Sequence, residues 1–152
     1  MKILVIGDSC TDIFRYGKVE RIAPEAPIPI IVPEKETSNP GMAGNVRRNI
    51  ESIFGKVDIH TNSNWYELTK TRYVHQETNH MFFRIDSTQK VESADISKID
   101  FDYDAIVISD YNKGFIKDEV IAYVSSSWEA FAYNEMNKNT STTIYLFINL
   151  TF

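Results

Sequence analysis

The stretch ILVIGD at residues 3–8 decides the fold. Its first four residues are apolar and mostly β-branched, and Gly7 and Asp8 close the run. A short, continuous apolar run of this kind is typical of a parallel strand that is buried on both faces. The sequence therefore predicts that the chain begins in the middle of a sheet.

A second run repeats this pattern later in the chain. Residues 105–108 are apolar and are followed by Ser109 and Asp110. Ligands of open α/β sheets collect at the carboxyl ends of the strands. We therefore expect Asp8, Asp12 and Asp110 to face one crevice.

Helical and strand patterns fill the segment between residues 39 and 61. Apolar or small residues recur at helical spacing from Ala43 to Phe54, after the turn sequence Asn39-Pro40-Gly41. Residues 57–61 suit a second strand. A helix is thus predicted to begin on a glycine-containing loop beside the first strand.

Two further segments predict a small lid. Residues 15–35 hold four of the five prolines, which restricts them to edge strand or extended chain. Residues 72–74 and 81–85 flank a polar turn, as in an antiparallel hairpin. We assign lid segments 15–35 and 70–86.

The carboxyl-terminal part is less regular. Residues 117–137 have helical apolar spacing, residues 137–143 form a polar break, and residues 144–152 are apolar and β-prone. An exposed segment of that composition aggregates easily, so we expect it to join a sheet as an added strand.

Composition limits the class of protein. A chain of 152 residues with 43% hydrophobic content suits one globular domain, and 16 basic against 21 acidic residues, with no basic stripe, argue against a nucleic-acid partner. The single Cys10 forms no internal disulfide, which favours a reducing, cytoplasmic setting, and no Cys/His cluster predicts a metal site. The opening apolar run is too short for a signal peptide or a membrane span.

The order of motifs resembles the amino-terminal half of the PfkB/ribokinase family of carbohydrate kinases, in particular the D-glycero-D-manno-heptose-7-phosphate kinases. Four blocks carry the resemblance across roughly residues 3–125, and residues 69–73 with 84–86 add a weaker one. The four are IGD with Asp12, RIAPEAPIP at 21–29, PGMAGNV at 40–46 and SDYNKG at 109–114.

The resemblance implies an α/β, ribokinase-like (Rossmann-like) fold with a partly parallel sheet, helices and a small antiparallel β lid. It implies a sugar or sugar-phosphate substrate, ATP with Mg²⁺, and a possible homodimer through the lid. The implied substrate-binding residues are Asp12, Gly41, Gly44, Asn45, Asp110 and Lys113, and the implied lid residues are Arg21, Pro24, Glu25, Pro27 and Arg84.

Physical chemistry supports these roles. A carboxylate accepts two sugar hydroxyls, so Asp12 suits a sugar clamp, with a helix or turn cap as its alternative role. Gly41 and Gly44 let the backbone approach a ligand, unless they form a plain turn. Lys113 and Arg84 are candidate donors to a substrate phosphate, or solvated surface residues.

The sequence also departs from the family. In the family, the catalytic aspartate lies in a carboxyl-terminal glycine-rich block. In this sequence no glycine follows Gly114, so no residue is assigned a catalytic role. Met42 stands where the family has its second glycine, and residues 55–70 form a shorter connection. We therefore expect a single truncated PfkB-type domain over residues 1–152, with an atypical tail at 126–152. We expect this domain to be inactive alone.

Two other functions remain open. The first is a non-catalytic module that binds a sugar and dimerises through the lid. The second is a hydrolase in which Ser9 of Gly7-Asp8-Ser9 is the nucleophile, although no aspartate has a histidine three residues later to supply the base.

Overall fold

The computed structural model describes residues 1–127, 129–131 and 143–148. These residues form two sheets and two α-helices. The elements in chain order are β1 (Ile3–Gly7), β2 (Ser9–Ile22), β3 (Pro29–Met42), α1 (Ala43–Phe54), β4 (Asp58–His60), β5 (Thr69–His75), β6 (Met81–Asp86), a 3₁₀ turn (Ile96–Lys98), β7 (Ala105–Asp110), α2 (Asp118–Ser127), β8 (Glu129–Phe131) and β9 (Thr143–Ile148).

The first sheet is the core of the chain. Its strand order is β4-β1-β7-β9-β8, and β1 pairs in parallel with both β4 and β7. The prediction that residues 3–7 form a central parallel strand is therefore confirmed. The α/β architecture with mixed sheets is consistent with a Rossmann-like fold.

Both faces of this sheet are covered. Alternate residues of a strand point to opposite faces. Ile3 and Val5 pack with residues of α1, while Leu4 and Ile6 pack with residues of α2 and the loop before it. Two-sided burial explains why these strands are continuous apolar runs. Truncating a residue such as the fully buried Ile6 to alanine would cost about 2–5 kcal/mol.

The second sheet is the lid. Strands β2 and β3 form a long antiparallel hairpin that leaves the core after Asp8 and returns at Met42, and β5 and β6 extend it in the order β3-β2-β5-β6. The two segments predicted as a lid, 15–35 and 70–86, thus lie in one sheet, and its hairpin is longer than 15–35. It is not purely antiparallel as expected, because β2 and β5 run parallel.

Prolines lie where their chemistry allows. Pro24 and Pro27 lie in the turn between β2 and β3, and Pro29, Pro33 and Pro40 lie on β3, which is an edge strand. A missing N–H is tolerated at an edge because one side of the strand has no partner. The edge or extended assignment of 15–35 is therefore confirmed for the proline-bearing part, but it is wrong for residues 15–17, which lie on the inner strand β2 and pair with both β3 and β5.

The carboxyl-terminal part differs from expectation. The helix predicted over 117–137 ends at Ser127, after a run of three serines that favour helix ends over helix interiors, and residues 129–131 form β8. Trp128 and residues 132–142 lie outside the described residues. Residues 143–148 form β9, antiparallel to β7, so the tail does add a strand there. Residues 149–152 also lie outside the description.

No helix within the described ranges has both the length and the apolar character needed to cross a bilayer.

Candidate functional site

A hollow of about 370 Å³ lies between the lid and the loop that follows β7, and we call it the front hollow. Residues from the base of the hairpin, from β5, from the end of β6 and from the β7 loop line it. They are Cys10, Met42, Leu68, Thr69, Lys70, Asp86, Ser87, Thr88, Gln89 and Lys113.

Strand register sets which lid side chains share one face. Asp12 pairs with Lys70, and Lys70 pairs with Asp86, so these three side chains project from the same side of the lid sheet. Cys10 and Phe14 alternate with Asp12 and share that side. The carboxylate predicted to clamp a sugar therefore lies on the face that contributes Cys10, Lys70 and Asp86 to the front hollow.

Asp12 is held by two neighbours. Arg72 Nη1 donates to Asp12 Oδ1 at 2.5 Å, and the arginine lies over the ring of Phe14, 5.0 Å from its centre. Gly41 lies opposite Cys10 on the hairpin, and a Cβ at this position would be 2.5 Å from Asp12 Oδ2 and from Cys10 Sγ. The carboxylate is thus fixed by an ion pair, and only glycine fits beside it.

Lys70 is a site residue that the sequence analysis did not identify. Its Nζ lies 5.6 Å from the centre of the Tyr111 ring, which comes from the β7 loop. Burial raises the pKa of the Tyr111 hydroxyl. The alternating cations at positions 70 and 72 of β5 are the signal that would have indicated it. Together with Lys113, Lys70 gives the front hollow two ammonium groups.

Cys10 is chemically quiet in this setting. It is 1% exposed, and burial raises the pKa of its thiol to about 11, with Asp12 acting in the same direction. The thiol therefore stays protonated at neutral pH and serves as an apolar wall.

Asp8 does not face the crevice, contrary to expectation. It is fully buried, its Oδ2 accepts from the Tyr111 amide at 2.9 Å, and its Oδ1 accepts from the Phe115 amide at 3.1 Å. Its backbone oxygen also accepts from the Ala43 amide. The carboxylate ties the β7 loop to the core and the backbone oxygen ties α1, and full burial keeps this side chain away from a ligand in the crevice.

Asp110 lies beside Asp8 and behaves differently. Burial, together with the neighbouring Asp8, raises the pKa of the Asp110 carboxyl, while its Oδ1 accepts from the Asn112 amide at 2.7 Å. A carboxyl with a raised pKa is a hydrogen-bond donor over a wider pH range. Asp110 thus remains a candidate for contact with a hydroxyl-rich ligand.

The other implied residues are dispersed. Gly44 lies on a flank of α1 against Pro40 and Ser9 and lines a second cavity, and Asn45 is exposed on the first turn of α1. The lid residues Arg21, Pro24, Glu25 and Pro27 are exposed at the tip of the hairpin. Arg21 is nine residues beyond Asp12 along β2, roughly 30 Å in an extended strand. Arg84 forms an ion pair with Asp86 at 2.7 Å.

Ser9 lacks the surroundings of a nucleophile. It is 3% exposed, its amide donates to Asn62, and its Oγ has no hydrogen-bond partner among the described residues. All three histidines lie in the described part of the chain, and none is bonded to it. Nothing there would take the proton of the hydroxyl.

The described residues do not fit ATP with Mg²⁺. No group of three or more His, Cys, Asp or Glu side chains comes together within the described ranges, and the sequence has no glycine after Gly114 to build a phosphate cradle.

No family model matches the chain. The chain is similar to the bifunctional protein HldE of several bacteria. It is 34% identical to that of Helicobacter pylori strain HPAG1 over 155 aligned positions, which cover 78% of this chain and 33% of the relative. It is 30% identical to HldE of Caulobacter sp. strain K31, over 78% of this chain and 31% of the relative. It is 31% identical to HldE of Helicobacter acinonychis strain Sheeba, over 92% of this chain and 38% of the relative. The chain thus spans about a third of the length of these relatives.

Proposed function

We propose that this chain is the substrate-binding part of an ATP-dependent sugar kinase, and that its substrate is a sugar phosphate of the heptose 7-phosphate kind. One observation carries the proposal: the lid face that presents Asp12 also presents Lys70, and Lys113 lies across the same hollow. The similarity to HldE proteins and the resemblance to heptose kinases support the same class of substrate.

The two ends of a sugar phosphate match this arrangement. The carboxylate of Asp12 accepts hydrogen bonds from neighbouring sugar hydroxyls, with Arg72 holding the carboxylate in place. Lys70 and Lys113 pair with the phosphate through charge-assisted hydrogen bonds, which are about twice as strong as neutral ones. A sugar without a phosphate would form only the hydrogen bonds to Asp12.

Phosphoryl transfer requires residues that the described chain does not supply. We propose that residues 1–152 bind the substrate in a cytoplasmic setting, and that residues other than these supply the contacts to ATP, Mg²⁺ and the catalytic base.

Calorimetric titration of the whole chain with heptose 7-phosphate tests the proposal. We expect saturable binding that Asp12→Asn and Lys70→Gln each weaken about tenfold, since a hydrogen bond to a charged group contributes about 1.5–3 kcal/mol. Lys98→Gln is the matched control, because it removes an exposed lysine that pairs with Asp95 and is not among the residues that line the hollow. Absence of heat with heptose 7-phosphate and with mannose 6-phosphate would contradict the proposal.

A non-catalytic module that dimerises through the lid is the second candidate, and the edge strand β6 favours it. Phe83 and Ile85 alternate along that strand, so they share one face, and each is about half exposed. A row of apolar side chains on a sheet edge is a common interface feature. No observation favours the hydrolase.

A further inference from the structure

A second cavity of about 390 Å³ lies where α1, the end of β4 and the base of the lid hairpin meet, and we call it the rear pocket. Ser9 and Cys10 are successive residues of β2, so their side chains point to opposite faces of the lid sheet. Cys10 lines both cavities, whereas Ser9 lines only the rear pocket. Its volume is in the range of small-molecule sites.

The hydroxyl of Ser9 is the most unusual group of this pocket. Ser9 is 3% exposed, and its Oγ has no hydrogen-bond partner in the part of the chain that the structure describes. A Cβ placed on Gly44 would lie 3.6 Å from this oxygen, so the hydroxyl is directed at the first turn of α1. A buried hydroxyl without a partner destabilises the fold, and a ligand that accepts its hydrogen bond would remove that cost.

The amino end of α1 adds a positive potential. No side chain caps this end, because Met42 occupies the N-cap position. Uncapped amides and the helix dipole favour an anion there. The lack of Cβ at Gly44 keeps the first turn accessible beside the Ser9 hydroxyl.

Charged and aromatic side chains complete the pocket. Arg47 is bound to the Val57 carbonyl at 2.9 Å and to Glu51 at 3.1 Å, so these two charges offset each other. Arg48 donates only to the neutral Asn39 side chain, at 3.2 Å, and no described acidic group pairs with it. Trp65, which is 42% exposed, supplies an aromatic wall.

We propose that the rear pocket binds a small molecule that carries an oxyanion. The oxyanion accepts hydrogen bonds from the Ser9 hydroxyl and Arg48 at the amino end of α1, and a planar or apolar part of the molecule lies against Trp65. A phosphate ester and a carboxylate share this chemistry. The proposal does not depend on the front hollow.

Tryptophan fluorescence provides the test. The chain has two tryptophans, so Trp128→Phe leaves Trp65 as the only reporter. The full-length variant is titrated with phenyl phosphate, benzoate, inorganic phosphate and phenol. We expect a saturable change with phenyl phosphate or benzoate, a weaker effect of inorganic phosphate, and none with phenol.

Substitutions then assign the contact. Ser9→Ala keeps the hydrogen bond from the backbone amide of residue 9 to Asn62 and removes only the hydroxyl. Arg48→Gln removes one positive charge. Each should weaken binding about tenfold, whereas Lys98→Gln should leave it unchanged. Circular dichroism and the thermal midpoint check that each variant is folded.

Three results would overturn the inference. The first is that none of the three anions saturates the fluorescence change up to about 10 mM. The second is that phenol binds as tightly as phenyl phosphate, and the third is that both folded variants bind with unchanged affinity. Tighter binding of phenyl phosphate identifies a phosphate ester as the preferred class, and tighter binding of benzoate identifies a carboxylate; either supports the site.

Discussion

Asp12 and Arg72 form an ion pair between two parallel strands of the lid, with 2.5 Å between Oδ1 and Nη1 and 22% exposure of each side chain. Arg72 comes from β5, two residues beyond the register partner of Asp12. The pair therefore joins the hairpin to the second half of the lid, and it fixes the carboxylate before any ligand arrives.

Arg72→Gln should loosen Asp12. We expect the free energy of unfolding to fall by about 1 kcal/mol, because the pair is only partly buried, and binding of heptose 7-phosphate to weaken several-fold. When Arg72→Gln is combined with Asp12→Asn, the loss in binding should be less than the sum of the two single losses, because both substitutions break the same ion pair. Arg15→Gln breaks a 2.7 Å ion pair with Glu36 that lies on the opposite face, and it should leave binding intact. Equal effects of the two arginine variants on binding would argue against this role.

Gly41→Ala should disturb the same carboxylate by crowding. The new Cβ would meet Asp12 Oδ2 and Cys10 Sγ at 2.5 Å, so we expect a loss of about 1–3 kcal/mol in stability together with weaker ligand binding. Gly55→Ala is the control: its φ of 84° makes alanine strained by about 1 kcal/mol, but nothing lies within 4 Å. Denaturant unfolding and calorimetry measure both. Normal ligand binding by Gly41→Ala would show that the contact relaxes harmlessly.

Met42 combines a buried side chain with a strained backbone. It is 4% exposed, and its φ of 58° and ψ of −128° suit glycine. The PfkB/ribokinase family, which this sequence resembles, has glycine at this position. Alanine would lose the buried side chain and keep the strain. Glycine would lose the same burial and remove about 1–3 kcal/mol of strain. Met42→Gly should therefore unfold at a higher urea concentration than Met42→Ala, and the reverse order would mean that this backbone is unstrained.

Asp110 should give stability a pH dependence. Burial and Asp8 raise the pKa of Asp110 in the folded chain, so the folded state holds this proton more tightly than the unfolded state does. Its stabilising contribution is complete below the ordinary pKa, near pH 4, and is lost as pH rises through the raised value. Asp110→Asn should therefore gain stability relative to the unmodified chain as the pH rises from about 4 through the raised pKa of Asp110.

Urea unfolding at several pH values measures this difference. Glu92→Gln, an exposed carboxyl replaced by its amide, is the control and should follow the unmodified chain at every pH. A constant difference between Asp110→Asn and the unmodified chain across the range would mean that Asp110 titrates normally.

Ile85→Asp tests association through the lid. Ile85 is 53% exposed on the apolar face of β6, so a carboxylate there should convert a dimer to monomer in size-exclusion chromatography with light scattering. Ile53→Asp, at a 75% exposed position of α1, should leave the mass unchanged. A monomeric unmodified chain would remove the dimer from the proposal.

Local patterns predicted most of the elements. The two apolar runs gave central strands, the helical spacing gave α1 with its bounds at Ala43 and Phe54, and the polar turn gave the β5–β6 hairpin. These elements were predictable because each is defined by neighbours in sequence. The helix beyond Ser127 was wrong for residues 129–131, where pairing with β9 outweighs a helical pattern.

The roles of the aspartates were less predictable. Sequence position put Asp8, Asp12 and Asp110 at strand ends, but it did not distinguish a carboxylate that binds backbone amides from one on the lid face beside a hollow. Asp8 binds two amides more than one hundred residues away, at Tyr111 and Phe115, and no local pattern reports such partners.

The sequence by itself determined the strand and helix types, the position of the lid and the carboxylates near its base, because burial periodicity and proline or glycine chemistry act between near neighbours. Only the tertiary structure decided that Lys70 and Lys113 share one hollow, that Arg72 holds Asp12, and that Ser9 faces a separate pocket. The register between β2 and β5 sets the pairing of Arg72 with Asp12, and register depends on the packing of whole strands rather than on any short segment.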